Sequence, residues 1–424
     1  MKFPLLLVLL FALPTKHCLA QDLKEIFDAS VKAYEAKDYD TYLELSHQLD
    51  VIWPFNPVYT YNLASGYALT KQINNSIFML NRLVLMDNEM SFEEDNDFAD
   101  LKLNPAWKNI MQNKKEMGDS VLHAVPLLTL QEKDLHPEGL CYLPKSKKLL
   151  SGSIHKGKIV EINIESGQSI DWLSQPGMLS VVDICVDKGE KYLWAATAAF
   201  PQLIGYKPEM EGKSEILKIE IATKKILKRY SLPGTHVFGA LLMNSKDDLF
   251  ISDSGPTNVY VIRNGQDSVS TWLSLGDEGR NLQGLAIDSS ESTIFVADYL
   301  KGILVVNANN PEQHHWLEFQ DYITPKGIDG LIWHNGYLYA IHNGVKPIRV
   351  MQYRMDLKNR TIIKAVYIEN NRAMFHEPTL PFILNDQLMY IANCPWNAYN
   401  KDFTLNQDLL SNPELYYLKL NTVE

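Results

Sequence analysis

Two periodicities divide the chain. Between residues 23 and 90 apolar side chains recur at three- and four-residue steps, first Leu23, Ile26, Phe27, Val31 and Tyr34, then Leu63, Ala64, Tyr67, Ala68 and Leu69. That is the spacing of one buried helix face, and Pro54 and Pro57 separate two helical hairpins. From residue 121 the period falls to two, in short runs of Val, Ile, Leu, Tyr and Trp broken by Gly, Asn and Asp. Such a pattern predicts many short strands.

The strand runs repeat. Openings at Glu138, Asp183, Phe238, Gln283, Asp329 and Glu377 lie 45, 55, 45, 46 and 48 residues apart, and a period near 45 residues predicts propeller blades. The fold class expected is therefore mainly β: a six-bladed β-propeller over residues 121–424, preceded by a small α-helical domain over 21–118. The single longer step is absorbed by an insertion, 200–214, in the second blade. The fourth unit has room for an outer strand at 313–319, whereas the sixth runs out of chain after three strands. Residues 125–131 are the expected donor of its fourth, which would join the two ends of the chain and leave no open sheet edge.

Residues 1–20 read as a leader: Lys2, an apolar run over 5–14, then Cys18, Leu19 and Ala20 ahead of Gln21. The run is too short to span a bilayer, and no other stretch approaches eighteen apolar residues. The expectation is an exported protein, periplasmic or extracellular, with no stable membrane anchor. Its net charge of −11, more negative still without Lys2 and Lys16, excludes nucleic acid as a natural partner. Beyond the leader stand Cys141, Cys185 and Cys394, enough for at most one disulfide and matching no zinc spacing. A Gly-x-Ser-x-Gly elbow and a phosphate-cradling glycine loop are both absent from the sequence.

In a propeller the first strand of each blade is innermost, so its start lies at the mouth of the central channel. The six openings thus form a ring of four carboxylates, one amide and one aromatic. So many acids cannot all stay ionised close together without a cation or raised pKa values. Asp183, Phe238 and Glu377, with His136 and His376, are the expected substrate-contacting residues, and His342 lies near the same rim. Asp253 and Asp298, which close second strands, are expected to tie turns through backbone hydrogen bonds.

Three segments carry family resemblances. Residues 59–86, with Tyr61, Leu63, Gly66, Tyr67 and Ala68, together with Phe98-Ala99-Asp100-Leu101 and Asn104-Pro105-Ala106-Trp107, resemble tetratricopeptide repeats. That implies a docking surface for a peptide or protein partner or for the propeller, or a helical cap packed on its neighbour. The openings Pro137-Glu138-Gly139, Leu282-Gln283-Gly284-Leu285 and Ile328-Asp329-Gly330-Leu331 resemble the metal-binding strand starts of the regucalcin/gluconolactonase propellers, over residues 135–420. This resemblance implies a divalent ion, commonly calcium, held by Glu138, Gln283 and Asp329, with Gln283 standing where the family has asparagine. It also implies a lactone or related ester as substrate, with Asp329 or another rim acid as the catalytic proton acceptor. The second blade lacks the Asn-Asp-Gly segment that helps hold substrate in that family. Ile251-Ser252-Asp253-Ser254-Gly255 and Val296-Ala297-Asp298-Tyr299 are similar to NHL-repeat propellers, which serve as binding platforms. Two functions follow: a propeller that binds a small molecule or a protein partner at its mouth, or a calcium-dependent lactonase-like hydrolase.

Overall fold

The computed structural model describes residues 14–420, so most of the expected leader lies outside the described residues. Five helices come first: α1 (Pro14–Glu35), α2 (Tyr39–Ile52), α3 (Pro57–Leu69), α4 (Ile73–Met86) and α5 (Pro105–Gly118). Their starts are set locally. Asp38 accepts from the Thr41 backbone N–H ahead of α2, and Asn56 accepts from Val58 and Tyr59 ahead of α3, with Pro57 in its first turn. Among the described residues no helix is long and apolar enough to cross a membrane.

The chain forms two compact units, one running up to Leu83 together with Ser91–Ile110, the other combining Val84–Met90 with everything from Met111. In the first unit α1, α2 and α3 pack in sequence, and an ion pair of Arg82 with Asp50 at 3.0 Å ties α4 to α2. The short segment Val84–Met90 is bonded to the propeller's fifth blade. Asn88 N–H donates to Lys346 O, Lys346 N–H to Met86 O, and the buried Arg349 guanidinium to Leu85 O.

The second unit is a six-bladed propeller with antiparallel blades. The innermost strands are Pro137–Leu143, Ser180–Val186, Phe238–Met243, Leu282–Ile287, Ile328–His334 and Phe382–Leu384. They touch in cyclic order, the sixth returning to the first, and the apolar cores lie between successive sheets. Closure is as the sequence predicts. Val125–Thr129 pairs with Glu414–Lys419 as the outer strand of blade 6, with Leu128 opposite Leu415. Blade 5 takes a fifth strand, Val121–Leu122, held in place where the Glu369 carboxylate accepts from the backbone N–H groups of His123 and Ala124.

Three details differ from the sequence reading. Blade 2 opens at Ser180, so Asp183 sits inside its strand. Blade 6 has its inner strand at Phe382–Leu384, which leaves Glu377 in the loop leading to it. The outer strand of blade 4 shrinks to His314–Trp316. The first two have a local cause: a bulge at Val181/Asp183 displaces the register in blade 2, and Pro378 and Pro381 hold the sixth entry loop out of the ladder.

Candidate channel-mouth site

The acid-glycine and amide-glycine openings have a geometric basis. In blades 1, 4 and 5 the inner strand bulges at its start, between Pro137 and Leu140, Leu282 and Leu285, and Ile328 and Gly330. Glu138, Gln283 and Asp329 occupy those bulges. The glycine after each allows the next blade to press against the strand. A Cβ on Gly139 would come within 2.5 Å of the Asp183 Cα, and one on Gly284 within 2.6 Å of the Asp329 carbonyl oxygen.

Three carboxylates converge from blades 1, 5 and 6. Glu138 is buried, and its carboxyl is pushed well above the usual range, first by burial and then by the charges of Asp329 and Glu377. Asp329 rises to about 6 through burial, against the pull of a 2.6 Å hydrogen bond from the Asn343 amide. Glu377 rises to about 8, from burial and then from Asp329. Among the described residues no ion pair reaches any of the three. The Oδ1 of Asn343, whose Nδ2 donates to Asp329, is buried and has no partner.

A second group gathers on the blade 1 side of Glu138. His136 is fully buried with φ at +46°, a left-handed conformation that a histidine seldom adopts. Its Nδ1 lies 2.7 Å from the Tyr399 hydroxyl, its ring meets Trp396 edge-on with centroids 4.4 Å apart, and its Nε2 has no partner. Burial, then the charge of His155, keeps the imidazole neutral. Trp396 Nε1 donates to Glu138 Oε2 at 3.1 Å, and the Cys394 thiol donates to Pro137 O at 2.7 Å while lying 3.4 Å from the same Oε2. One ligand atom each from His136, Glu138 and Cys394 fall within 4.8 Å of one another.

Other expected residues lie elsewhere. Phe238 is 1% exposed and packs with Tyr260 and His236 in the core between blades 2 and 3. Its neighbour Gly239 takes the bulge position, so blade 3 offers the mouth no side chain there. Asp183 is a staple of the channel wall: its two oxygens accept the Ile184 N–H at 2.8 Å and the Leu241 N–H of blade 3 at 2.7 Å. Gln283 donates its amide to Asn281 at 3.1 Å, and among the described residues no hydrogen bond ties it to Glu138 or Asp329. His376 is exposed. His342 is buried, bonded to Tyr353 and to Lys326 O, and held down to about 3 by burial, so it stays neutral. Asp253 and Asp298 tie turns as expected, accepting from Val237 and Gly255 in one case and from Arg280, Asn281 and Leu300 in the other. All three cysteines are free.

The residues that sequence reasoning missed come from the connection 392–413 of blade 6: Cys394, Trp396 and Tyr399. The signal for them was available in the long gap between the second and third strands of that blade, since long loops in compact folds are commonly functional.

The fold and mouth define the class, a six-bladed propeller with an acidic channel end. No protein-family description matches the sequence, and no curated protein does. Among solved structures the chain is similar to regucalcin, a calcium-binding protein from Agrobacterium tumefaciens, at 15% identity, covering 70% of this chain and 93% of that one, with a TM-score of 0.48. It is similar to the aldose sugar dehydrogenase of Streptomyces coelicolor in its PQQ-bound form, at 12% identity over 71% and 98% with a TM-score of 0.48. Virginiamycin B lyase from Staphylococcus aureus shares 12% identity over 69% and 97%, with a TM-score of 0.45.

Proposed function

We propose that this is an exported binding propeller whose channel mouth takes a small ligand through a divalent cation, of which calcium is the first candidate. The observation that carries the reading is the trio Glu138, Asp329 and Glu377: Glu138 buried and the other two half-buried, Glu138 in the field of both and Glu377 in that of Asp329, and none of them ion-paired among the described residues. Buried like charges raise one another's pKa unless a cation compensates them. The donor set fits a hard ion, since carboxylate oxygens are joined by the orphaned Oδ1 of Asn343. Gln283, the amide ligand suggested by the regucalcin resemblance, is engaged with Asn281, and Asn343 is better placed to supply that oxygen. The leader-like residues 1–20 support export, and the helical pairs offer a second surface, for a protein partner.

The test is calorimetric titration of calcium into metal-stripped protein beside Asp329→Ala. One saturable site in the wild type, lost in the variant, is expected; absence of binding in the wild type refutes the cation.

A second reading, a lactonase-like hydrolase, is favoured by one observation, the Asn343 amide that orients the Asp329 carboxylate. A divalent ion held there would supply the charge that polarises a lactone carbonyl, and Asp329 is the carboxylate that would take the proton of the attacking water. Hydrolysis of a lactone panel that Asp329→Asn abolishes would support this reading. Inactivity of the calcium-loaded wild type across the panel leaves the binding function alone.

A further inference from the structure

We infer that His136, Glu138 and Cys394 form a site for a borderline transition-metal ion of the zinc class, distinct in its donors from the carboxylate trio. Imidazole nitrogen and thiolate sulfur are ligands that zinc accepts and calcium does not. The sequence spacing hides the site, because Cys394 reaches the other two from the last blade of the closed ring.

Five observations support it. The three ligand atoms lie within 4.8 Å of one another. Cys394 Sγ and Glu138 Oε2 are 3.4 Å apart, close to the roughly 3.5 Å that separates a sulfur at about 2.3 Å and an oxygen at about 2.0 Å on one tetrahedral zinc. His136 is fully buried, and its Nε2 has no partner, an uncommon state for a buried ring nitrogen. Its other nitrogen faces the Tyr399 hydroxyl at 2.7 Å, an outer-shell contact of the kind that orients a ligating histidine, and with Nδ1 as the donor to that oxygen Nε2 carries the lone pair. The left-handed backbone of His136 adds strain of the kind that collects at functional sites.

Three protein ligands leave a fourth position for water or a bound molecule, as in zinc sites that act on a ligand. Binding replaces protons: that of the Cys394 thiol, now donated to Pro137 O, and that of the Glu138 carboxyl pass to solvent, and the sulfur and carboxylate lone pairs go to the metal. The inference goes beyond the calcium reading and does not depend on it. His136 and Cys394 take no part in that trio, and only Glu138 is shared.

The probe is Co²⁺, with Zn²⁺ in competition, added to the metal-stripped full chain. A thiolate-to-cobalt charge-transfer band in the near ultraviolet, displaced by zinc, is expected. The band should vanish in Cys394→Ser, and His136→Gln should weaken affinity at least tenfold. Asp329→Ala, which removes the calcium ligand, should leave the cobalt band intact, so the two readings fail separately. Absence of a thiolate band in the wild type overturns the inference without recourse to any variant. A band that survives Cys394→Ser assigns the metal to another cysteine of the chain, Cys18, Cys141 or Cys185, and overturns it equally.

Discussion

The indole Nε1 of Trp396 donates a hydrogen bond to Oε2 of Glu138 at 3.1 Å, across 258 residues of sequence. The bond joins the blade 6 connection to the first bulge of blade 1, and it holds the carboxylate that both metal readings share. Replacing Trp396 by Phe keeps an aromatic ring beside His136 and Phe200 while removing the N–H donor and part of the indole. Loss of an outer-shell hydrogen bond typically weakens metal affinity 10- to 100-fold. Trp396→Phe should therefore bind calcium and cobalt at least tenfold more weakly by titration, with an unchanged circular dichroism spectrum. Equal affinities would mean that Glu138 is positioned by other contacts.

Closure by the chain's two ends makes a prediction about stability. In Val125–Thr129 only Leu128 faces the core, 9% exposed and packed with Leu130, Ile391 and Leu415, whereas Leu127 is 37% exposed. Leu128→Ala should lower stability by about 2–4 kcal/mol, and Leu127→Ala by less than about 0.5 kcal/mol. Urea unfolding of both variants checks this. Equal effects would show that the strand contributes little to closing the ring.

The legible part of this architecture was its repetition. Periodicity and spacing located six blades and the ring closure because every blade must bury the same alternating face. The convergence of Glu138 and Asp329 was legible for the same reason, as strand starts map to one end of the channel, whereas Glu377 reaches them from the loop ahead of the sixth inner strand. What the sequence could not show was register. A single bulged residue sends Phe238 into the core and Asp183 into the wall, since a one-residue slip flips a side chain to the other face. Nor could it show contacts that depend on closure, and Cys394, Trp396 and Tyr399 reach His136 and Glu138 only when the last blade meets the first.

Asp183 is a case where burial and hydrogen bonding oppose each other. Its two oxygens accept backbone N–H groups from Ile184 and Leu241, and truncation would leave both donors buried and unpaired. Asp183→Ala should therefore destabilise the propeller by about 2–4 kcal/mol, at about 1–3 kcal/mol for each orphaned group with partial relaxation. Chemical denaturation followed by tryptophan fluorescence measures it. A loss below about 1 kcal/mol would indicate that water replaces the carboxylate.

The same residue sets a pH dependence. Burial outweighs the two N–H donors and raises the folded carboxyl to about 7, from a value of 3.8 without the fold. The groups facing it, Cys141 and Cys185, have thiols raised by burial and then by Asp183 itself, so neither is ionised near neutrality. Between about pH 4 and 7 the native state holds a proton that the unfolded chain has lost, and stability then falls as pH rises. The contribution is complete below about pH 4 and is lost as pH climbs through 7. Glu138, Asp329 and Glu377 shift in the same direction, so the wild-type slope alone does not isolate Asp183. Comparison with Asp183→Asn does, because those three groups remain in both proteins. Metal-stripped wild type should lose several degrees more in Tm between pH 5 and pH 8 than the variant. Parallel Tm profiles would mean that Asp183 stays ionised in the fold, its two backbone donors outweighing its burial.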